Sequence, residues 1–136
     1  MLNESGRSDF ASTLHLPKTV LSDPNGNTYL LTTKDIQKIS REGTKLASTP
    51  LSDATALSYS ITSAQLAVSL ENGQIEFYSS SELKKEAKKV HANGSVTRLA
   101  YSPDGRLLAV GLSTGKIVVY DSESLEVRYL FPLTCV

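Results

Sequence analysis

Apolar residues in the second half of the chain fall into short runs separated by turn residues, a pattern typical of β-strands. Residues 107–112 are apolar at almost every position, whereas 96–101 mix apolar and polar side chains and 116–120 are rich in β-branched ones. Ser102-Pro103-Asp104-Gly105 suits a type I turn, and Ser113-Thr114-Gly115 suits a second tight turn. Because a strand that is apolar on both faces needs cover on both sides, we predict sheets that stack on one another.

The same order of runs occurs one unit earlier in the chain. Residues 54–83 align with residues 96–125 at an offset of 42 without a gap, and 13 of the 30 positions are identical. The earlier members of the identical pairs are Thr55, Leu57, Tyr59, Ser60, Leu66, Ala67, Val68, Leu70, Gly73, Ile75, Tyr78, Ser80 and Leu83. A period of this length, with four strands in each unit, is typical of a β-propeller blade.

A third, fainter unit precedes these two. Turn residues at 21–26 are followed by predicted strands at 28–33, 36–40 and 44–48. We therefore predict an all-β fold of about three four-stranded antiparallel β-propeller blades that form an incomplete ring. The predicted domains are a polar N-terminal tail over residues 1–15 and a partial propeller over residues 16–136, with blades at about 16–48, 54–90 and 96–131.

Residues 79–89 carry a conflicting signal. Ser79 and Glu82 form a Ser-x-x-Glu capping signature, and good helix formers follow them. The 42-residue register instead places an outer edge strand in this region, where lysines discourage pairing with another strand. Helix and strand both stay open at 82–90, and the repeat favours the strand.

Residues 111–115 match Gly-x-Ser-x-Gly, the turn that holds the nucleophile of many esterases. That turn requires a following helix and a histidine later in the chain. Ser113 is instead followed by a predicted strand, and His15 and His91 both precede it. The equivalent turn one unit earlier, residues 70–73, keeps the glycine but has no serine. Ser113 is therefore interpreted as a turn residue and no catalytic residue is predicted; a hydrolase that uses Ser113 is the competing hypothesis.

Composition and charge exclude several classes of function. Fourteen basic residues balance fourteen acidic ones, so the chain has no long-range attraction for nucleic acid or anionic lipid. No apolar run approaches a membrane span, and the polar N-terminus lacks the apolar core of a signal peptide, so we expect a protein of the cytoplasm or the nucleus. Cys135 has no Cys or His partner at ligand spacing, so we expect no metal. We also expect no cofactor and no small-molecule substrate.

The last unit resembles the WD40 repeat. His91 precedes its first predicted strand, and Tyr120-Asp121 resembles the closing Trp-Asp pair with tyrosine in place of tryptophan. In that family the histidine takes part in a hydrogen-bond network with the tryptophan, a hydroxyl residue and an aspartate. The resemblance implies structural roles for His91, Tyr120 and Asp121, with Thr114 at the position where the aspartate of the network would be.

Four lysines in the preceding unit allow two interpretations. Lys84, Lys85, Lys88 and Lys89 lie close together in the sequence. They are either a contact site for a partner or a solvated edge, and the edge is the simpler interpretation because lysine is a strongly hydrated point charge.

The degenerate repeats are similar to the later part of actin-interacting protein 1, a family of two tandem WD40 propellers. The resemblance covers roughly residues 19–131 and rests on the motifs at 67–73, 96–105 and 107–111. It implies a protein of the actin cytoskeleton that binds actin filaments together with cofilin and promotes their disassembly without catalysis. The alternative is a WD40 scaffold subunit of an unrelated complex, in trafficking or ribosome assembly, because propeller ligands bind to variable loops.

Three blades cannot close a ring, since propellers have four or more. An open array exposes an apolar blade face at each end, which soluble monomers avoid. The chain is therefore expected to be a fragment of a longer propeller or to complete itself by association, and we favour the fragment.

Overall fold

The computed structural model describes residues 17–132, and all regular elements in that range are β-strands. The polar tail predicted for residues 1–15 and Cys135 lie outside the described residues. The strands are β1 (Pro17–Ser22), β2 (Thr28–Thr32), β3 (Asp35–Ile39), β4 (Lys45–Pro50), β5 (Ala54–Ser60), β6 (Gln65–Leu70), β7 (Gln74–Ser79), β8 (Lys85–His91), β9 (Val96–Tyr101), β10 (Leu107–Leu112), β11 (Lys116–Asp121) and β12 (Val127–Pro132).

The strands form three four-stranded sheets, and each strand pairs antiparallel with the next one along the chain. We call these sheets blade 1 (β1–β4), blade 2 (β5–β8) and blade 3 (β9–β12). This arrangement confirms the predicted all-β class and the predicted pairing within blades 2 and 3. The segment at 82–90, which the sequence left open, contains strand β8 and no helix.

The turns explain where the strands end. The backbone N–H of Gly105 donates to the Ser102 carbonyl, and that of Gly115 donates to the Leu112 carbonyl. Both glycines have positive φ, 75° and 94°, which residues with a Cβ adopt only at a cost. Leu21 and Ser22, assigned to a turn from the sequence, instead end β1, because the turn that follows begins at Asp23.

The sheets are apolar on both faces, so the core lies between the blades. We call the face that a blade turns toward the next blade in sequence its back face, and the opposite face its front face. The core between blades 1 and 2 consists of Tyr29, Leu31, Ile36, Ala54, Leu57, Leu66, Val68, Tyr78 and Leu83. The core between blades 2 and 3 consists of Ala67, Ile75, Phe77, Ala92, Val96, Leu108, Val110, Leu112, Val118 and Tyr120. Blade 2 is therefore covered on both faces, as the apolar runs predict.

The inner edges of blades 2 and 3 are joined by hydrogen bonds. Strands β5 and β9 lie side by side, and the backbone N–H of Tyr101 donates to the Ser58 hydroxyl at 3.1 Å. The Tyr101 hydroxyl donates to Gln65 Oε1 at 2.7 Å, and Gln65 in turn donates to Glu86 at 2.7 Å. These bonds fasten the first strand of blade 3 to blade 2.

The connection between blades 2 and 3 is fixed at Gly73. The Ala92 N–H donates to the Gly73 carbonyl at 2.8 Å. Gly73 has φ of 91°, and a Cβ built on it would lie 2.7 Å from the carbonyl oxygens of both Ala92 and Gly94. Only glycine fits at this position, because those neighbours are backbone atoms that cannot rotate away.

We expect Gly115→Val to destabilise the fold while Ser113→Ala leaves it unchanged. Valine at φ of 94° costs on the order of 1–3 kcal/mol, whereas the exposed Ser113 side chain has no hydrogen bond within residues 17–132. Urea unfolding followed by circular dichroism measures both variants. Equal loss of stability in the two would contradict the assignment of the glycine as the structural residue of this turn.

Candidate interaction surface

Asp121 closes the turn between the third and fourth strands of blade 3. Its Oδ1 accepts hydrogen bonds from the backbone N–H groups of Glu123 at 2.9 Å and Ser124 at 3.0 Å, and its Oδ2 lies 3.1 Å from Arg128 Nη1. The N–H groups of Ser124 and Glu123 hold the pKa of this carboxyl below its usual value. The aspartate of the Tyr-Asp pair therefore has a structural task in the turn.

The other two blades place a serine at the same turn. The Ser40 hydroxyl accepts from the Thr44 N–H at 3.1 Å in blade 1, and the Ser79 hydroxyl accepts from the Lys84 N–H at 3.2 Å in blade 2. A side-chain oxygen that accepts a backbone N–H is what all three turns share. Serine replaces aspartate here because the turn requires an acceptor and not a charge.

The remaining WD-type positions lie apart. Tyr120 is buried in the core between blades 2 and 3, whereas His91 at the end of β8 and Thr114 in the β10–β11 turn are exposed. Within residues 17–132, no side-chain hydrogen bond joins His91, Thr114 and Tyr120. Tyr120 fills the core like the tryptophan it resembles, and the roles of the other two positions stay predictions.

The lysine cluster divides into two kinds of residue. Lys85 Nζ lies 2.9 Å from Glu76 Oε2, and Lys88 donates to the Ser122 carbonyl at 3.1 Å with its Nζ 5.0 Å from the centre of the Phe77 ring. Lys84, just before β8, and Lys89, on β8, are exposed and have no side-chain hydrogen bond to any described residue. Only Lys84 and Lys89 are therefore free to contact a partner with their charged ends.

A buried carboxylate, which sequence analysis missed, lies under Lys85. Glu76 is 5% exposed and accepts hydrogen bonds from the Tyr78 hydroxyl at 3.0 Å and from Gln74 Nε2 at 2.8 Å. Burial alone would raise its pKa, but Lys85 and the Tyr78 hydroxyl outweigh burial and lower it. Burial and Glu76 raise the pKa of Tyr78. The signal in the sequence was the polar alternation Gln74, Glu76 within an otherwise apolar strand.

A groove runs between blades 2 and 3 at the end of the sheets where the first turn of each blade lies. It is lined by Thr62, Ser63, Ser102, Pro103, Asp104, Gly105, Arg106, Leu107, Asp121, Ser122, Glu123, Arg128 and Tyr129. Arg106 and Arg128 together with Asp104 and Glu123 give its wall both signs of charge, and Tyr129 adds an aromatic ring. Such a wall suits a peptide segment with charged and aromatic side chains.

The groove and turns lack the arrangement that the hydrolase hypothesis requires. Ser113 is exposed in a turn between β10 and β11, so a strand and not a helix follows it. No three His, Cys, Asp or Glu side chains within residues 17–132 are grouped so that they could hold a metal ion. No helix within the described part of the chain is long and apolar enough to span a bilayer. The structure places Ser113 in a turn between two strands, and that it is not catalytic stays a prediction.

Comparison with known proteins agrees with this architecture. Residues 85–134 match the family profile of the anaphase-promoting complex subunit 4 WD40 domain. No curated protein matches the chain. The structure is similar to RRP9 WD40 repeats, with a TM-score of 0.78 and 15% identity over 87% of this chain and 39% of that chain. It is also similar to the Neurospora crassa Pan2 WD40 domain, with a TM-score of 0.72 and 13% identity over 85% of this chain and 36% of that chain.

An enzyme shares the fold. Kuenenia stuttgartiensis hydrazine synthase matches with a TM-score of 0.74 and 15% identity over 84% of this chain and 35% of that chain. The chain thus spans 35–39% of the length of these solved structures. At these identities the similarity shows the fold alone: the chain consists of WD40-type β-propeller blades. This fold is typically a non-catalytic scaffold for protein–protein interaction.

We expect Glu76→Gln to weaken the acid dependence of stability. Because the folded pKa of Glu76 is lowered, its contribution is fully present above the unfolded value of about 4.3 and is lost as the pH falls through the folded value. The wild type should therefore lose more stability between about pH 5 and 3 than the variant does. At pH 7 the variant should be less stable by about 1–3 kcal/mol, since Lys85 loses its ionic partner.

Glu82→Gln is the matched control, because Glu82 is exposed in the β7–β8 turn. Thermal unfolding at a series of pH values measures all three proteins. Identical pH profiles for the wild type and Glu76→Gln would contradict a stabilising role for the buried carboxylate.

Proposed function

We propose that this chain is a non-catalytic protein-interaction module, part of an actin-filament-binding protein that works with cofilin in actin disassembly. The observation that carries the interaction role is the division between interior and rim. The apolar side chains pack between the blades, while the turns at the blade ends and the groove between blades 2 and 3 present polar and charged groups. Rigid stacked sheets that display variable loops are a common basis for protein recognition.

The choice of actin is supported by the sequence. Residues 19–131 are similar to the later part of actin-interacting protein 1, through the motifs at 67–73, 96–105 and 107–111. In a protein of this kind the exposed Lys84, just before β8, and Lys89, on β8, are candidate contacts, since both amino groups lack a described partner. The proposed site of action is the actin cytoskeleton in the cytoplasm.

A different observation favours a second function. The match of residues 85–134 to the anaphase-promoting complex subunit 4 WD40 domain supports a scaffold subunit of another complex. In that case the same rim would bind other subunits, and neither actin nor cofilin would be a partner.

Co-sedimentation with actin filaments distinguishes the two functions. The complete protein that contains this chain should sediment with filaments, and a larger fraction should sediment when cofilin is present. The 136-residue chain alone should bind poorly, because its two ends expose apolar blade faces and its ligand surface extends over blades it lacks. Absence of sedimentation in both conditions would remove the actin proposal and favour the scaffold.

A pair of variants tests the lysines within the same assay. Lys84→Ala with Lys89→Ala should reduce the sedimented fraction if these side chains contact actin. Lys45→Ala, an exposed lysine on the outer strand of blade 1, is the control for loss of charge. An equal effect of the control and the double variant would show a general charge effect and not a contact.

A further inference from the structure

The outer strands of the three blades differ at two equivalent positions on their front faces. In blade 2 these positions pair with Glu76 and Tyr78 of β7, and the same register identifies them in the other two blades. They are occupied by Lys45 and Ser48 in blade 1, Lys85 and Lys89 in blade 2, and Val127 and Leu130 in blade 3. Blade 3 therefore has aliphatic side chains where the other two blades have polar ones.

Val127 and Leu130 lie on the side of blade 3 that blade 2 covers. Val127 pairs with Tyr120, and Leu130 pairs with Val118. Tyr120 and Val118 are buried in the core between blades 2 and 3, and paired residues share one face of a sheet, so both aliphatic side chains face blade 2. Each is nevertheless 57% exposed. A further blade would pack on the opposite, back face of blade 3 and would not cover them.

The exposed pair borders a groove that opens outward between the outer strands β8 and β12, which we call the outer groove. Val90 on β8 and Leu125 in the turn before β12 are partly buried and pack against the core between blades 2 and 3. Lys88 reaches across from blade 2, with its Nζ 3.1 Å from the Ser122 carbonyl oxygen of blade 3. The outer groove is thus apolar on its β12 side and open to solvent.

The wall on β8 carries a net positive charge. Lys85 is neutralised by Glu76 at 2.9 Å, whereas Glu86 accepts a hydrogen bond from an uncharged side-chain amide. Three further lysines at this strand have no carboxylate partner among the described residues: Lys84, Lys88 and Lys89. Their charges outnumber that of Glu86, and charges at a protein surface act over about 8 Å at physiological salt.

The wall on β12 adds little charge. Arg128, the one charged side chain of this strand, lies 3.1 Å from Asp121. Glu126, immediately before the strand, is exposed, and its backbone carbonyl accepts the Asp121 N–H in the turn. The two walls of the outer groove therefore differ, since one is apolar and the other is positively charged.

We infer that the outer groove binds a segment of a partner protein that places apolar side chains against Val127 and Leu130 and acidic side chains toward the lysines of β8. An exposed aliphatic pair beside a positively charged strand complements a segment with both features, and opposite charges raise the rate and selectivity of such an encounter. The opening between blades 1 and 2 does not offer this combination, because Lys85 and Lys89 occupy the equivalent positions there. Binding at the outer groove rests on the proposed role of the chain as a protein-interaction module and not on the choice of actin.

Fluorescence anisotropy of the complete protein that contains this chain tests the inference with a short labelled peptide of alternating leucine and glutamate. Val127→Ser together with Leu130→Ser should raise the dissociation constant at least about tenfold, because two apolar contacts are lost. Leu46→Ser is the matched control, since Leu46 is 52% exposed on the outer strand of blade 1, and it should change the constant by less than about twofold. Circular dichroism verifies that the variants keep their β-structure. If the double variant does not, Val127→Thr, which keeps the β-branched shape, takes its place.

Two further peptides separate the apolar contribution from the charged one. With lysine in place of glutamate, or serine in place of leucine, binding to the wild type should weaken at least about tenfold. Binding of the leucine–glutamate peptide should also weaken as the salt concentration is raised. Equal affinity for the glutamate and lysine peptides would overturn the inference.

An unchanged dissociation constant in the double variant, or no binding of the leucine–glutamate peptide to the wild type, would likewise overturn it. Sedimentation with actin filaments, measured on the same preparations, separates this result from the proposed function. Peptide binding that depends on Val127 and Leu130, in a protein that does not sediment with filaments, would support the outer groove and remove actin as a partner. Sedimentation without such peptide binding would overturn the outer groove as a binding site and leave the actin proposal in place.

Discussion

A four-stranded sheet that is apolar on both faces cannot be stable in water by itself, and the rest of this structure depends on that constraint. Blade 2 satisfies it with two neighbours, because Leu66 and Val68 pack toward blade 1 while Ala67 and Phe77 pack toward blade 3. Alternation of side chains along each strand divides the apolar residues between the two cores. Stacking is thus the condition for folding, and the interaction surfaces at the rim follow from it.

Because stacking supplies most of the stability, the turns are free to change in sequence. Asp121, Ser79 and Ser40 perform the same task with different side chains, since each accepts a backbone N–H after the third strand. The Tyr120 ring of the Tyr-Asp pair lies in the core between blades 2 and 3. The family resemblance is consequently weak in individual motifs and strong in the spacing of apolar residues and glycines.

Much of blades 2 and 3 could be predicted from the sequence, because their strands follow one register of 42 residues. The repeat is harder to recognise in blade 1, because the offset between blades 1 and 2 is not constant. Val20 corresponds to Leu57, an offset of 37, whereas Gln37 corresponds to Glu76, an offset of 39. Local propensity at 79–89 favoured a helix, but tertiary context prevailed through Leu83, which is buried at φ of 55° between blades 1 and 2. The pairing of Glu76 with Lys85 could not be predicted, because it requires knowledge of how β7 and β8 align around a bulge. The roles of the lysines likewise depended on the face of the sheet on which each side chain lies, since Lys85 contacts Glu76 and Lys88 reaches Ser122 of blade 3.

The close approach at Gly73 bears on how such a chain changes in length during evolution. The linker from Ala92 to Gly94 is hydrogen-bonded to the β6–β7 turn and leaves no room for a Cβ at Gly73. An extra residue in the linker or in the turn would therefore push these two backbone segments apart. We therefore expect the spacing between blades 2 and 3 to be preserved even where the residues themselves diverge.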